Sequence, residues 1–78
     1  MKPPTEETLA MVNELLRGAT PMSAYAMGLA TTSAAQANID PPRQLLLAAR
    51  GCTSVEEAIE SIESWITLYA HLGGKAGA

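Results

Sequence analysis

The sequence predicts an all-α domain of four to five short helices arranged as two helical hairpins. One phrase occurs twice, Arg17-Gly18-Ala19-Thr20 and Arg50-Gly51-Cys52-Thr53, each time between an apolar run and a second apolar-periodic segment. An offset of 33 positions also aligns Val12 with Leu45, Met22 with Val55, Ala26 with Ile59, Leu29 with Ile62 and Ser33 with Ile66, so the repeat extends beyond the turn. No segment shows the strict apolar–polar alternation of a half-buried strand.

The first helix starts from Thr5 or Thr8 as cap, with Glu6 and Glu7 in the first turn, where the helix dipole favours acids. Leu9, Val12, Leu15 and Leu16 form its apolar stripe, and Gly18 supplies the left-handed residue that ends it. Thr20-Pro21 starts the second, because Pro at the first helical position loses no hydrogen bond. From Met22 to Asn38 two arrangements are open. Met22, Tyr25, Ala26, Leu29 and Ser33 share one face at helical spacing, which allows one long helix. Gly28, followed by the capping residues Thr31-Thr32-Ser33, allows a break near Gly28 to Ala30.

Asp40-Pro41-Pro42 predicts a third start, with Asp as the cap, leading into Leu45-Leu46-Leu47-Ala48-Ala49 and stopped by Gly51. Five consecutive apolar residues wrap the helix on all sides and make it the central one. Thr53-Ser54-Val55-Glu56 is a capping box for the fourth helix. Behind it Val55, Ile59, Ile62, Ile66 and Tyr69 recur at spacings of 4, 3, 4 and 3, a seam suited to the domain's own core or to another helix. The chain is one domain over residues 1–78, with flexible ends at 1–4 and at 73–78, where Gly73-Gly74 ends the last helix.

Composition narrows the function. With 47% hydrophobic and 17% charged residues in 78, part of the apolar surface is expected to face another chain, and a homodimer is the simplest form. The lone Cys52 cannot form an internal disulfide, and no Cys/His cluster holds a zinc. The N-terminus lacks the apolar core of a secretory signal and no run spans a bilayer, so a cytoplasmic location with no membrane partner is expected. A net charge of −3 disfavours a nucleic-acid footprint.

Candidate sites are few. Enzyme chemistry needs a nucleophile with a base, a carboxylate pair in a pocket or a metal cluster, and none of these patterns occurs. No cofactor motif is present either, since the Arg-Gly turns follow no strand and lack the lysine of a phosphate loop. His71 fits a last-turn residue complementing the helix C-terminus, and Cys52 fits a small apolar filler where the first repeat has Ala19. Glu56, Glu57, Glu60 and Glu63 form an acidic strip, either a solvated face or a docking face for a basic partner. Trp65 is either the core's one large filler or an interface anchor. The expected protein-binding residues are Glu56, Glu60, Glu63, Trp65 and Tyr69, and the expected function is a small non-enzymatic regulator or inhibitor that binds another protein through a helical surface.

The segment from Thr20 to Asn38, Thr-Pro-Met-Ser-Ala-Tyr-Ala-Met-Gly-Leu-Ala-Thr-Thr-Ser-Ala-Ala-Gln-Ala-Asn, resembles the helix-turn-helix of small bacterial and phage regulators, with Leu15 to Ala19 similar to their lead-in helix. The resemblance implies Ala24 in a first helix, Gly28 and Leu29 in the turn, and a recognition helix capped by Thr31 or Thr32. It also implies an alternative function, a DNA-binding transcriptional regulator in which Gln36 and Asn38 read adenine and Ser33 contacts phosphate. Residues 31–38 contain no Lys or Arg to neutralise phosphates, which is where most DNA affinity originates, so nucleic acid ranks below protein as the partner.

Overall fold

The structure is a computed structural model describing residues 3–77, with side chains through His71. It is all-helical: α1 (Glu6–Leu16), α2 (Pro21–Gln36), α3 (Arg43–Arg50) and α4 (Val55–Gly77), with no strand among the described residues. α2 and α3 each pack against all three other helices, and α1 does not reach α4 among the described residues. α2 lies most extensively against α3 and then α4, while the sequential neighbours α1 and α2 make the smallest contact.

Each helix begins where a short polar side chain or a proline fixes the chain. Thr5 caps α1, accepting from the Thr8 backbone N–H at 3.1 Å and donating its own hydroxyl to Thr8 Oγ1 at 3.0 Å. Thr20 repeats the arrangement on Ser23, with Pro21 in the first turn of α2. The third start differs from expectation. Pro42, not Asp40, occupies the N-cap of α3, with extended backbone and no side-chain cap bond. A proline disfavours helical backbone in the residue before it, so Pro42 keeps Pro41 out of the helix and the N-cap falls two residues after Asp40. The cap of α4 lies one residue later than expected, and its second bond goes to a side chain instead of closing a reciprocal box. Ser54 accepts the backbone N–H of Glu57 at 3.1 Å, and the Glu57 carboxylate takes the Thr53 hydroxyl at 3.0 Å.

Two helix ends use left-handed residues. Gly18 has φ +72° after α1, as its position predicts, and Asn38 has φ +60° after α2. Around Asn38 the backbone forms a Schellman motif: Ile39 N–H donates to the Ala34 carbonyl at 2.9 Å and Asn38 N–H to the Ala35 carbonyl at 3.1 Å. Gly51 caps α3 with an ordinary right-handed φ of −83°. α4 runs through Gly73 and Gly74 to Gly77, because glycine weakens a helix without preventing it. Of the ends expected to be flexible, Met1, Lys2 and Ala78 lie outside the described residues.

α2 is one continuous helix, which resolves the alternative left open at Gly28. Thr31, expected as a fresh cap, donates its hydroxyl to the Met27 carbonyl within that helix at 2.9 Å. Gly28 is exposed, and a β-carbon added there meets nothing within 4 Å. Gly28→Ala should therefore stabilise the protein by about 1 kcal/mol. A rise in the denaturation midpoint is expected; a fall would mean a turn at this position.

The core comprises Leu15 of α1, Ala26, Met27, Ala30 and Ala34 of α2, Leu45, Leu46 and Ala49 of α3, Cys52, and Ala58 and Ile62 of α4. Several expected stripes are rotated. On α1 Thr8 and Leu15 are buried while Leu9 and Leu16 are exposed. On α2 the buried row is Ser23, Ala26, Met27, Ala30 and Ala34, and Tyr25 is exposed. Alanines on this row let α3 and α4 approach α2 closely, so apart from Met27 the inward row is made of small residues. On α3 Leu47 is 45% exposed, so the apolar run does not wrap the helix in protein on all sides.

Candidate functional site

Ser54 fixes where α4 starts, and Ala58 and Ile62, both buried, fix which way it faces. Trp65 and Ile66 pack part of their surface on the same core. The apolar seam read from the sequence is thereby divided: Ile62 turns inward, Ile66 and Tyr69 are half-buried, and Val55 and Ile59 remain 42% and 45% exposed. Ala58, absent from that seam, is fully buried in the position that Ile59 was expected to take.

The five expected protein-binding residues do not form one face. Glu56, Glu60 and Glu63 are exposed along one stripe of α4. At about 100° per residue, Trp65 stands on roughly the opposite side of the helix from Glu56 and Glu63. Trp65 and Tyr69 do meet: their rings stack with centroids 5.5 Å apart and planes 18° from parallel. What joins acids to the aromatic pair is a different set. Glu57, Ser61, Trp65 and Tyr69 form one row at four-residue spacing, and Glu60, Ser64 and Leu68 form the adjacent row.

Between these rows lies a shallow open hollow lined by Glu57, Glu60, Ser61, Ser64 and Trp65. It exists because Ser61 and Ser64 are short while the residues around them are long. A second, smaller and more apolar depression lies beside it, formed by Ser64, Trp65 and Leu68, the last 47% exposed. The sequence reading missed the two serines and the place of Glu57. The signal was present as the spacing 57, 61, 65, 69, with a small residue between an acid and an aromatic.

The residues expected to read DNA occupy the C-terminal end of α2. Ser33 is half-buried and Gln36 exposed in its last turns, and Asn38 follows as the left-handed cap. Asn38 thus has a backbone role that accounts for its presence, since Asn tolerates positive φ better than other non-glycine residues. The helix dipole puts partial negative charge at this end, which opposes a phosphate approaching Ser33 or Gln36. No Lys or Arg occurs from Gly18 to Pro42.

Cys52 is buried, with its thiol donating to the Ala48 carbonyl at 3.3 Å, as a filler of the turn would be. Burial first, and the charge of Glu57 second, push its pKa above the ordinary thiol range. A raised folded-state value means that the unfolded chain releases this proton at lower pH. Its contribution is then complete below the unfolded pKa and is lost as pH rises through the folded one. Stability should fall on the alkaline side of the ordinary thiol range, and a Cys52→Ala protein should show less of that fall in denaturation midpoints measured against pH. His71 is exposed and lies inside α4, six residues before the helix ends at Gly77, and not in its last turn as expected.

Among the described residues no three His, Cys, Asp or Glu side chains converge as a metal site, and no helix is long and apolar enough to cross a membrane. No protein-family model matches this chain, and no curated protein and no solved structure matches it either.

Proposed function

We propose that this protein is a small non-enzymatic regulator or inhibitor that acts in the cytoplasm by binding another protein through the outer surface of α4. The observation that supports this reading is the half-buried Trp65. It is stacked on Tyr69, bordered by the exposed Leu68, and faced across an open hollow by Glu57 and Glu60. Tryptophan concentrates binding energy at interfaces when part of its ring is left for a partner. Two helical hairpins marked by the Arg-Gly repeat belong to this reading as the scaffold. So does self-association through Val55 and Ile59, whose exposure leaves apolar surface for a second copy. Sedimentation equilibrium should then give a mass above the 8.2 kDa monomer at micromolar concentration.

The test is capture of a partner from native lysate by the parent protein and by variants whose circular dichroism stays helical. Trp65→Ala, and separately Glu60→Lys with Glu63→Lys, should lose the captured protein. Retention of the same partner by both variants would remove α4 as the binding surface. Submicromolar affinity for a defined DNA sequence, lost on Gln36→Ala or Asn38→Ala, would replace this reading with a DNA-binding regulator.

A further inference from the structure

We infer that the hollow bounded by Glu57, Glu60, Ser61, Ser64 and Trp65 is a receptor for an arginine side chain of the partner protein; this rests on the protein-binding reading and names the partner's chemistry. The hollow is lined by two carboxylates, two small hydroxyl side chains and, at its C-terminal end, an indole. No Lys or Arg occurs between Gly51 and His71, so no cation on α4's described side chains competes for the acids. An indole attracts cations through its ring quadrupole, and a guanidinium can lie against it while its N–H fork reaches carboxylates on either side. A lysine ammonium is a point charge and uses the ring or the acids less completely.

The site is held in shape before any partner arrives. Thr53 donates its hydroxyl to Glu57 Oε2 at 3.0 Å, which restrains that carboxylate over the first turn of α4. Tyr69 stacks on Trp65 without lining the hollow, and the core contact of Trp65 restrains the indole from beneath. Restraint of this kind lowers the ordering cost of binding. Glu56 and Glu63, the other acids of α4, line neither depression and serve as an internal control.

The experiment titrates the full chain with hexa-arginine and follows Trp65, the only tryptophan in the sequence, by its fluorescence. A saturable change is expected, with hexa-lysine binding more weakly. Replacing Glu57→Gln together with Glu60→Gln should weaken hexa-arginine about tenfold, as loss of two charge contacts near a surface would. Glu56→Gln with Glu63→Gln removes the same charge from the other stripe and should weaken it less than about twofold, the screened remainder of a general field. Ser64→Leu, an exposed substitution that fills the hollow, should abolish the response while the helical circular dichroism persists. Equal weakening by the two glutamine pairs, equal binding of hexa-lysine, or an unaltered response in Ser64→Leu would overturn the assignment. If hexa-arginine fails to bind while the captured partner is still lost on Trp65→Ala, the arginine receptor is wrong and the protein-binding reading stands. If the partner is also retained both by Trp65→Ala and by the Glu60→Lys, Glu63→Lys protein, both readings fall.

Discussion

Leu45→Ala should leave the chain largely unfolded, while Leu47→Ala, two residues along the same helix, should melt close to the parent. Leu45 and Leu46 are completely buried and, with Met27, are the largest side chains that are. Removing such a leucine costs the transfer energy of its methyl groups and leaves a cavity, together about 2–5 kcal/mol. A single core in a chain this short rarely supplies more than about 3–5 kcal/mol in total, so the loss approaches the whole. Leu47 is 45% exposed and should cost about 0.5 kcal/mol or less. Far-ultraviolet circular dichroism with thermal melting separates the two; equal losses would mean that α3 is not oriented as described.

The second large effect belongs to Arg50, which joins three helices at one corner. Its Nε donates to the Leu15 carbonyl at 2.8 Å and its Nη2 to the Arg17 carbonyl at 3.2 Å, satisfying the C-terminal end of α1. Its own carbonyl accepts the Ser23 hydroxyl at 2.6 Å, which ties the start of α2 to the end of α3. A hydrogen bond to a charged donor is worth about 1.5–3 kcal/mol, and Arg50→Ala should cost about that, since the longer of the two bonds is exposed. Arg50→Lys should recover little of it, because one ammonium does not reproduce the planar fork that reaches both carbonyls. By contrast, Arg43 makes a surface ion pair with Glu14 at 3.5 Å, and Arg43→Ala should cost less than about 1 kcal/mol. Chemical denaturation of the three variants tests the ranking.

Arg50 also shows where sequence reasoning succeeds and where it stops. The repeat of Arg-Gly at 17–18 and 50–51 was visible, and it correctly marks the ends of α1 and α3. That the second arginine would reach back to the carbonyl of the first is a tertiary fact with no local signal. Helix existence and the Thr5 and Thr20 caps were legible because capping chemistry is local. The faces were less so. α2 carries Met22, Tyr25 and Leu29 beside a row of alanines, and hydrophobicity alone favours the larger residues, whereas close packing against α3 and α4 selected Ala26, Ala30 and Ala34. Gly28 was ambiguous for the same reason: a lone glycine in a helix costs little enough that surrounding contacts decide.

The candidate site was legible as a list of residue types and not as a shape. Trp65 and the acids of α4 stood out by rarity and spacing, but their division between opposite sides of the helix follows from Ala58 and Ile62 taking the core. The hollow depends on Ser61 and Ser64, residues whose contribution is the volume they leave open.

The most direct measurement for the α4 surface is site-specific photo-crosslinking in native lysate, with a photoreactive residue at Leu68 in one protein and at Gln36 in another. Both positions are exposed, and Leu68 borders the hollow without lining it, so neither substitution disturbs the core or fills the hollow. An adduct to one protein at Leu68, lost when Trp65→Ala is added and absent at Gln36, is the predicted result. Adducts at Gln36 with none at Leu68 would contradict it and place the functional surface at the end of α2.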